Sequence, residues 1–197
     1  MPERDLNDLP DGSSIFVDTN IFHYHFEGKS LDCTNFISRI QNGEIDAYVN
    51  IQAMTDLLHR LMMAEALAKG YCRDHKGNNQ GVRGLKYYLK DCRDQQQAFP
   101  LTAYQVQFEF IASIGLHVLP ISERLLVETK AEREQYYLMV GDSLHLGTMS
   151  GRVVKRRKAP LQDIATNDGD FADIPGLSVW RPMDAPKSAR QGATHVP

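Results

Sequence analysis

The run Ile15-Phe16-Val17, closing on Asp18-Thr19-Asn20, constrains this chain more than any other stretch. A short apolar run that stops abruptly on an acid and two small polar residues reads as a buried strand delivering those side chains to its carboxyl end. In open α/β sheets that end is where ligands sit. An acid placed there early in the chain invites a search for partner acids after later strands.

The remaining pattern supplies those strands, alternating with helices. Ile21 to Phe26 reads as a helical turn, and Thr34, Phe36, Ile37 and Ile40 fit a short amphipathic helix that ends before Asn42-Gly43. Ala47 to Val49 is a brief strand. Asn50 is placed to cap a long helix whose apolar positions Ile51, Met54, Leu57, Leu58, Leu61 and Met62 follow three-four spacing up to Gly70. From Tyr71 to Gly84 Gly, Asn, Lys and Arg predominate, which predicts an exposed loop, with a short helix over 85–89. Thr102 to Ile114 is helical, His117 to Leu119 a strand, Ser122 to about Leu138 a helix, and Ser143 to Ser150 another. Leu161 to Thr166 and Leu177 to Trp180 complete the strands. The reading is an α/β fold, a three-layer α/β/α sandwich on a central parallel sheet of four or five strands. Residues 1–13 form a polar N-terminal extension, 14–182 one domain with a basic insertion at about 69–100, and 183–197 a flexible tail.

Composition narrows the class. At 197 residues with 42% hydrophobic side chains, the chain has enough apolar surface for a packed core. Three scattered cysteines (Cys33, Cys72, Cys92) match neither a disulfide framework nor zinc spacing. With no apolar run of membrane length and no secretory signal, the expectation is a soluble cytoplasmic protein with no membrane partner. The net charge of -3 conceals two basic strips. Residues 69–93 carry seven Lys and Arg against two acids, and 152–158 carry five with none opposing. Such strips either face water or meet a polyanion. Arg83, Lys86, Lys155, Arg156 and Arg157 are the candidates for contacts with such a polyanion.

Three further places could bring an acid to Asp18. Asp56 lies early on the long helix at the edge of its buried stripe, where Arg60 at i+4 also offers it an ordinary ion pair. Asp142, in Val140-Gly141-Asp142-Ser143, opens a late helix, a common N-cap position. The turn Thr166-Asn167-Asp168-Gly169-Asp170 follows a strand, putting Asp168 first into the site and Asp170 at its rim as an outer ligand. That turn lacks the ligand register of a calcium loop. His23, His25, His59 and His145 fall near these acids without forming a zinc pair; His59 and His145 each sit three residues after an acid on the same helical face.

The order of these motifs resembles the PIN-domain ribonucleases, including the VapC-like toxins, over residues 14 to about 182, with Val179-Trp180-Arg181-Pro182 as the closing strand. The resemblance implies a metal-dependent endoribonuclease that uses Mg²⁺ or Mn²⁺, with Asp18, Asp56, Asp142 and Asp168 in the four acidic places and Asn20 and Thr166 as polar supports. It implies a toxin-antitoxin setting: an antitoxin partner and a homodimer. Two departures stand out. The second acidic place is usually Glu, whereas Asp56 is one methylene shorter, and the basic stretch makes this chain longer than the compact toxins. Carboxylates brought together from separate segments repel one another unless a hard cation holds them. A PIN-like RNA-binding or assembly module with a weakened site is the alternative that Asp56 motivates. The haloacid-dehalogenase-like phosphatases share the strand-Asp and Gly-Asp-Ser elements, but Asn20 and Leu146 occupy the places of that mechanism's general acid and second metal-binding acid.

Overall fold

The computed structural model describes residues 4–74, 76–151 and 160–186. Its strands are β1 (Arg4–Asp5), β2 (Ser14–Val17), β3 (Asp46–Asn50), β4 (His117–Leu119), β5 (Asp163–Ala165) and β6 (Ser178–Arg181). All pair in parallel, in the order β1-β6-β5-β2-β3-β4. The fold is therefore α/β with a parallel sheet, as expected, but with six strands rather than four or five. The added strand lies in the stretch taken for a polar extension. Arg4 and Asp5 have no apolar pattern; they extend the sheet by pairing with Trp180 and Arg181, and the Arg4 guanidinium lies 5.1 Å over the Trp180 ring.

The chain divides into two compact units, Met1–Met54 with Ile114–Pro197, and Thr55–Ser113. The first contains the sheet. Between β2 and β3 come α1 (Thr19–Phe26) and α2 (Leu31–Gln41); between β4 and β5 come α6 (Glu123–Glu128), α7 (Lys130–Tyr136) and α8 (Val140–Met149). The first crossover moves one way along the sheet and the second moves back, so right-handed connections put the two helix groups on opposite faces. Phe16 of β2 faces the second group, in a core with Leu138, Met149, Ile164, Phe171 and Val179. Each such side chain contributes about 1.5–3 kcal/mol on full burial. Gly147 lets α8 approach closely, since a Cβ there would run into the Thr129 side chain.

Two helical expectations in this unit are corrected. The helix from Ser122 is two helices, broken at Thr129 and stopped by Tyr137, whose φ of 57° is left-handed. The late helix starts at Val140, so Asp142 sits inside its first turn rather than at the cap.

The second unit holds most of α3 (Ile51–Ala68), together with α4 (Gly81–Asp94) and α5 (Ala103–Ser113). Its core is Ala66, Cys72, Leu85 and Leu101, with Met62, Tyr71, Leu89 and Tyr104 packed against it. The basic stretch lies within this unit. In place of a loop to Gly84 and a short helix, α4 runs fourteen residues, and Gly84 is required where the helix meets the Cys72 backbone. Buried Glu65 accepts from the N–H groups of Thr102 (3.0 Å) and Tyr104 (2.9 Å) at the start of α5 and pairs with Lys69 at 2.7 Å. Burial raises its carboxyl pKa, but Lys69 and these donors outweigh it and hold the group down to about 2. Among the described residues no helix is long and apolar enough to cross a membrane.

Candidate active site

The strand order places β2 beside β5 at the point where connections leave in opposite directions, which opens a crevice at the carboxyl ends of the two strands. Asp18 ends β2, and its N–H donates to Ala165 O of β5 at 3.0 Å. Asp18 occupies the N-cap position of α1 yet makes no side-chain cap bond. The residue is 8% exposed, and its carboxylate turns toward β5 instead. Oδ2 accepts from Asn20 Nδ2 at 2.5 Å and from Thr166 Oγ1 at 2.6 Å. Oδ1 lies 3.9 Å from Nε2 of buried His145.

The segment after β5 is braced by the same groups. Asn20 Nδ2 also donates to Thr166 Oγ1 (3.0 Å), and Asn20 Oδ1 accepts from the N–H of Asn167 (3.1 Å). Asp168 donates its N–H to Thr166 Oγ1, while its own carboxylate caps the following 3-10 turn by accepting from the N–H of Asp170, both at 3.0 Å. From β6, Arg181 donates to the carbonyls of Asp168 (2.8 Å) and Asn167 (3.3 Å). Asn167 Nδ2 reaches Tyr24 Oη and Pro186 O.

Asp142 supplies the electrostatic signature. Burial first, then the negative charges of Asp18, Asp168 and Asp170, push its carboxyl up to about 7, against a backbone hydrogen bond with Met139 that favours the ionised form. Three carboxylates from two other segments are thus within electrostatic reach of Asp142, with Asp170 at the exposed rim. They are not drawn tight. Among the described residues no group of three or more His, Cys, Asp and Glu side chains stands close enough to hold a metal ion directly.

Of the sequence candidates, Asp18, Asp168 and Asp170 act on the charge of Asp142, and Asn20 and Thr166 both donate to Asp18. Asp56 lies on α3 in the second unit, half-buried. Arg83 and Lys86 are exposed on α4, with the Arg83 guanidinium 5.7 Å over the Tyr87 ring. Lys155, Arg156 and Arg157 lie outside the described residues. Beside Arg83 and Lys86 on α4, Tyr88 stacks on Tyr71 with ring centres 4.1 Å apart, while Tyr87 is 57% exposed. Sequence reasoning missed Arg181 and Asn167 as braces of the Asp168 turn. The available signal was a charged residue on an otherwise buried closing strand.

The fold and site together define an α/β protein with an acidic crevice at the switch point of a parallel sheet. No protein-family model matches the sequence, and no curated protein matches it. Among solved structures it is similar to VapBC2 from Rickettsia felis bound to a DNA fragment from their promoter, at 16% identity over 85% of this chain and 98% of that one, TM-score 0.48. It is also similar to a toxin-antitoxin complex from Klebsiella pneumoniae, at 18% identity over 83% of this chain and 94% of that one, TM-score 0.41. At these scores the likenesses carry no argument about function.

Proposed function

We propose that this chain is a Mg²⁺- or Mn²⁺-dependent endoribonuclease of the PIN type, and that it acts as a toxin restrained by an antitoxin. The observation that carries the reading is Asp142, a half-buried carboxyl whose charge is opposed by three neighbouring acids. A stable fold has no need to gather acids at a crevice, and perturbed carboxyls mark functional sites. The donor set fits a hard divalent cation, because every donor among these acids is oxygen. Mg²⁺ keeps several waters and takes one or two protein carboxylates, so acids spaced too widely for a tight cage still suit it. Asp18, Asp142 and Asp168 would hold such an ion, with Asp170 acting through water. When bound, it supplies an activated water and neutralises charge on the phosphate.

The chain's own residues do the rest. Thr166 and Asn20 engage Oδ2 of Asp18 and fix its plane. Arg181 holds the turn that carries Asp168 by its carbonyls, leaving that carboxylate directed by the turn itself. Asp142 gives up its proton when the crevice gains positive charge. Exposed Arg83 and Lys86 would hold the RNA backbone through charge, without reading its sequence.

The test is RNA cleavage with and without Mn²⁺, comparing the parent with Asp18→Asn. Metal-dependent cutting by the parent, reduced at least about 100-fold in the variant, supports the reading. A second reading, an RNA-binding or assembly module, is favoured by the absence of three closely grouped ligands among the described residues. Binding without cutting by both proteins would select it.

A further inference from the structure

His145 is 3% exposed on α8, and its Nε2 lies 3.9 Å from Oδ1 of Asp18. Its chemistry depends on which nitrogen carries the hydrogen, and its surroundings decide that. Nδ1 lies 3.0 Å from Nδ2 of Asn50, a residue with no solvent exposure at the end of β3. The orientation of the Asn50 amide is fixed in turn, because Oδ1 accepts the N–H of Ala53 at 2.8 Å in the first turn of α3. Turning the amide over would set two donors against each other. Asn50 Nδ2 therefore points its hydrogens at His145 Nδ1 and at Thr148 Oγ1, 3.2 Å away. The Thr148 hydroxyl has its own hydrogen committed to Leu144 O at 2.7 Å, so its oxygen is left to accept. Every donor in this chain of bonds has one consistent direction, and it ends on a lone pair at Nδ1.

We propose that Asn50 locks His145 as the neutral tautomer with hydrogen on Nε2, making it a positioning residue that presents a fixed N–H donor to Oδ1 of Asp18. It is thereby neither a metal ligand nor a proton acceptor, since the nitrogen facing the acids has no lone pair to give. The two Asp18 oxygens are then addressed separately: Oδ2 by Asn20 and Thr166, Oδ1 by His145. The 3.9 Å separation is longer than a hydrogen bond, so the N–H acts on Oδ1 through its dipole and leaves that oxygen available to another ligand. The catalytic part of this role rests on the nuclease reading; the ring assignment does not.

Long-range proton–nitrogen NMR of the full-length, nitrogen-15-labelled protein in EDTA decides the assignment, with the His145 signals identified by their loss in His145→Gln. The parent is expected to show an unprotonated-type Nδ1 and a protonated-type Nε2. Asn50→Asp replaces the amide donor with an acceptor and should protonate Nδ1. Asn50→Ser keeps a cap for α3 and should release the ring from a single tautomer, which covers the case in which the Asp variant fails to fold. In cleavage assays with Mn²⁺, His145→Gln, which can keep an N–H near the Nε2 position, should retain activity within about 5-fold, while His145→Leu loses about 10–100-fold. A protonated Nδ1 in the parent, an unchanged ring in Asn50→Ser, or Gln no better than Leu would overturn the proposal. A parent that cuts no RNA would count against the nuclease alone, because the spectrum is read without metal or substrate.

Discussion

Asp142→Asn should make the metal-free protein more stable at pH 8, which is unusual for a polar substitution at a proposed active site. The folded-state carboxyl, raised from 3.8 to about 7, binds a proton that the unfolded chain has already released over that range. Stability therefore falls as pH rises from about 4 to about 7 and stays low above it. At about 1.4 kcal/mol per tenfold, the full penalty is roughly 4 kcal/mol. Solvent at the half-exposed side chain screens part of this. The substitution also forfeits a favourable charge in the first turn of α8, about 1 kcal/mol, the bond with Met139 being already contained in the shifted pKa. The net gain expected at pH 8 is about 2 kcal/mol, or roughly 5 °C in Tm, shrinking to nothing near pH 4. Urea unfolding of parent and variant in EDTA across this range measures it. A variant no more stable than the parent at pH 8, or a difference independent of pH, would refute the claim that burial and neighbouring carboxylates together load this group.

Thr166→Val removes a donor to Asp18 and an acceptor for the Asp168 N–H; cleavage should fall about 10–100-fold, and an unchanged rate would show that Asp18 needs no such support. Arg83→Ala and Lys86→Ala should each weaken RNA binding uniformly across sequences and lower the slope of log K against log salt by up to about 1, read by fluorescence anisotropy at several salt concentrations. Glu65→Gln should destabilise the second unit by about 1–3 kcal/mol at pH 7. Because the folded Glu65 carboxyl lies near 2 against 4.5 ordinarily, its contribution is full above pH 4.5 and fades toward pH 2, so parent and variant should converge in acid.

The alternation of strands and helices was legible because apolar runs and three-four spacing survive in the sequence wherever an element is buried on its own account. Ile15 to Val17 is such a case, wholly buried in the middle of the sheet. β1 was illegible for the opposite reason: Arg4 and Asp5 become a strand only through pairing with β6. The length of α4 was hidden because its amphipathic face is sparse, Leu85 and Cys92 with Gly84, amid charges that look like a loop. In the site, Asp18, Asp142 and Asp168 could be named from their places after strands and at a helix start. The bracing by Arg181 and the amide of Asn50 could not, since those bonds join residues 14 and 95 positions apart, respectively. Asp56 could be named from its place at the edge of the long helix's buried stripe, where it is half-buried on α3; its acidic-site role came from the resemblance.

The proposed function requires this acidic crevice to receive a divalent cation. Isothermal titration calorimetry of the full-length protein with Mn²⁺ at pH 7, repeated in buffers of different ionisation heat, tests it most directly, because it counts ions and protons together. With Asp142 near half-protonation at about 7, the account predicts one or two ions bound with release of about half a proton, and loss of that release in Asp142→Asn. No binding at millimolar Mn²⁺, or binding without proton release, would contradict it.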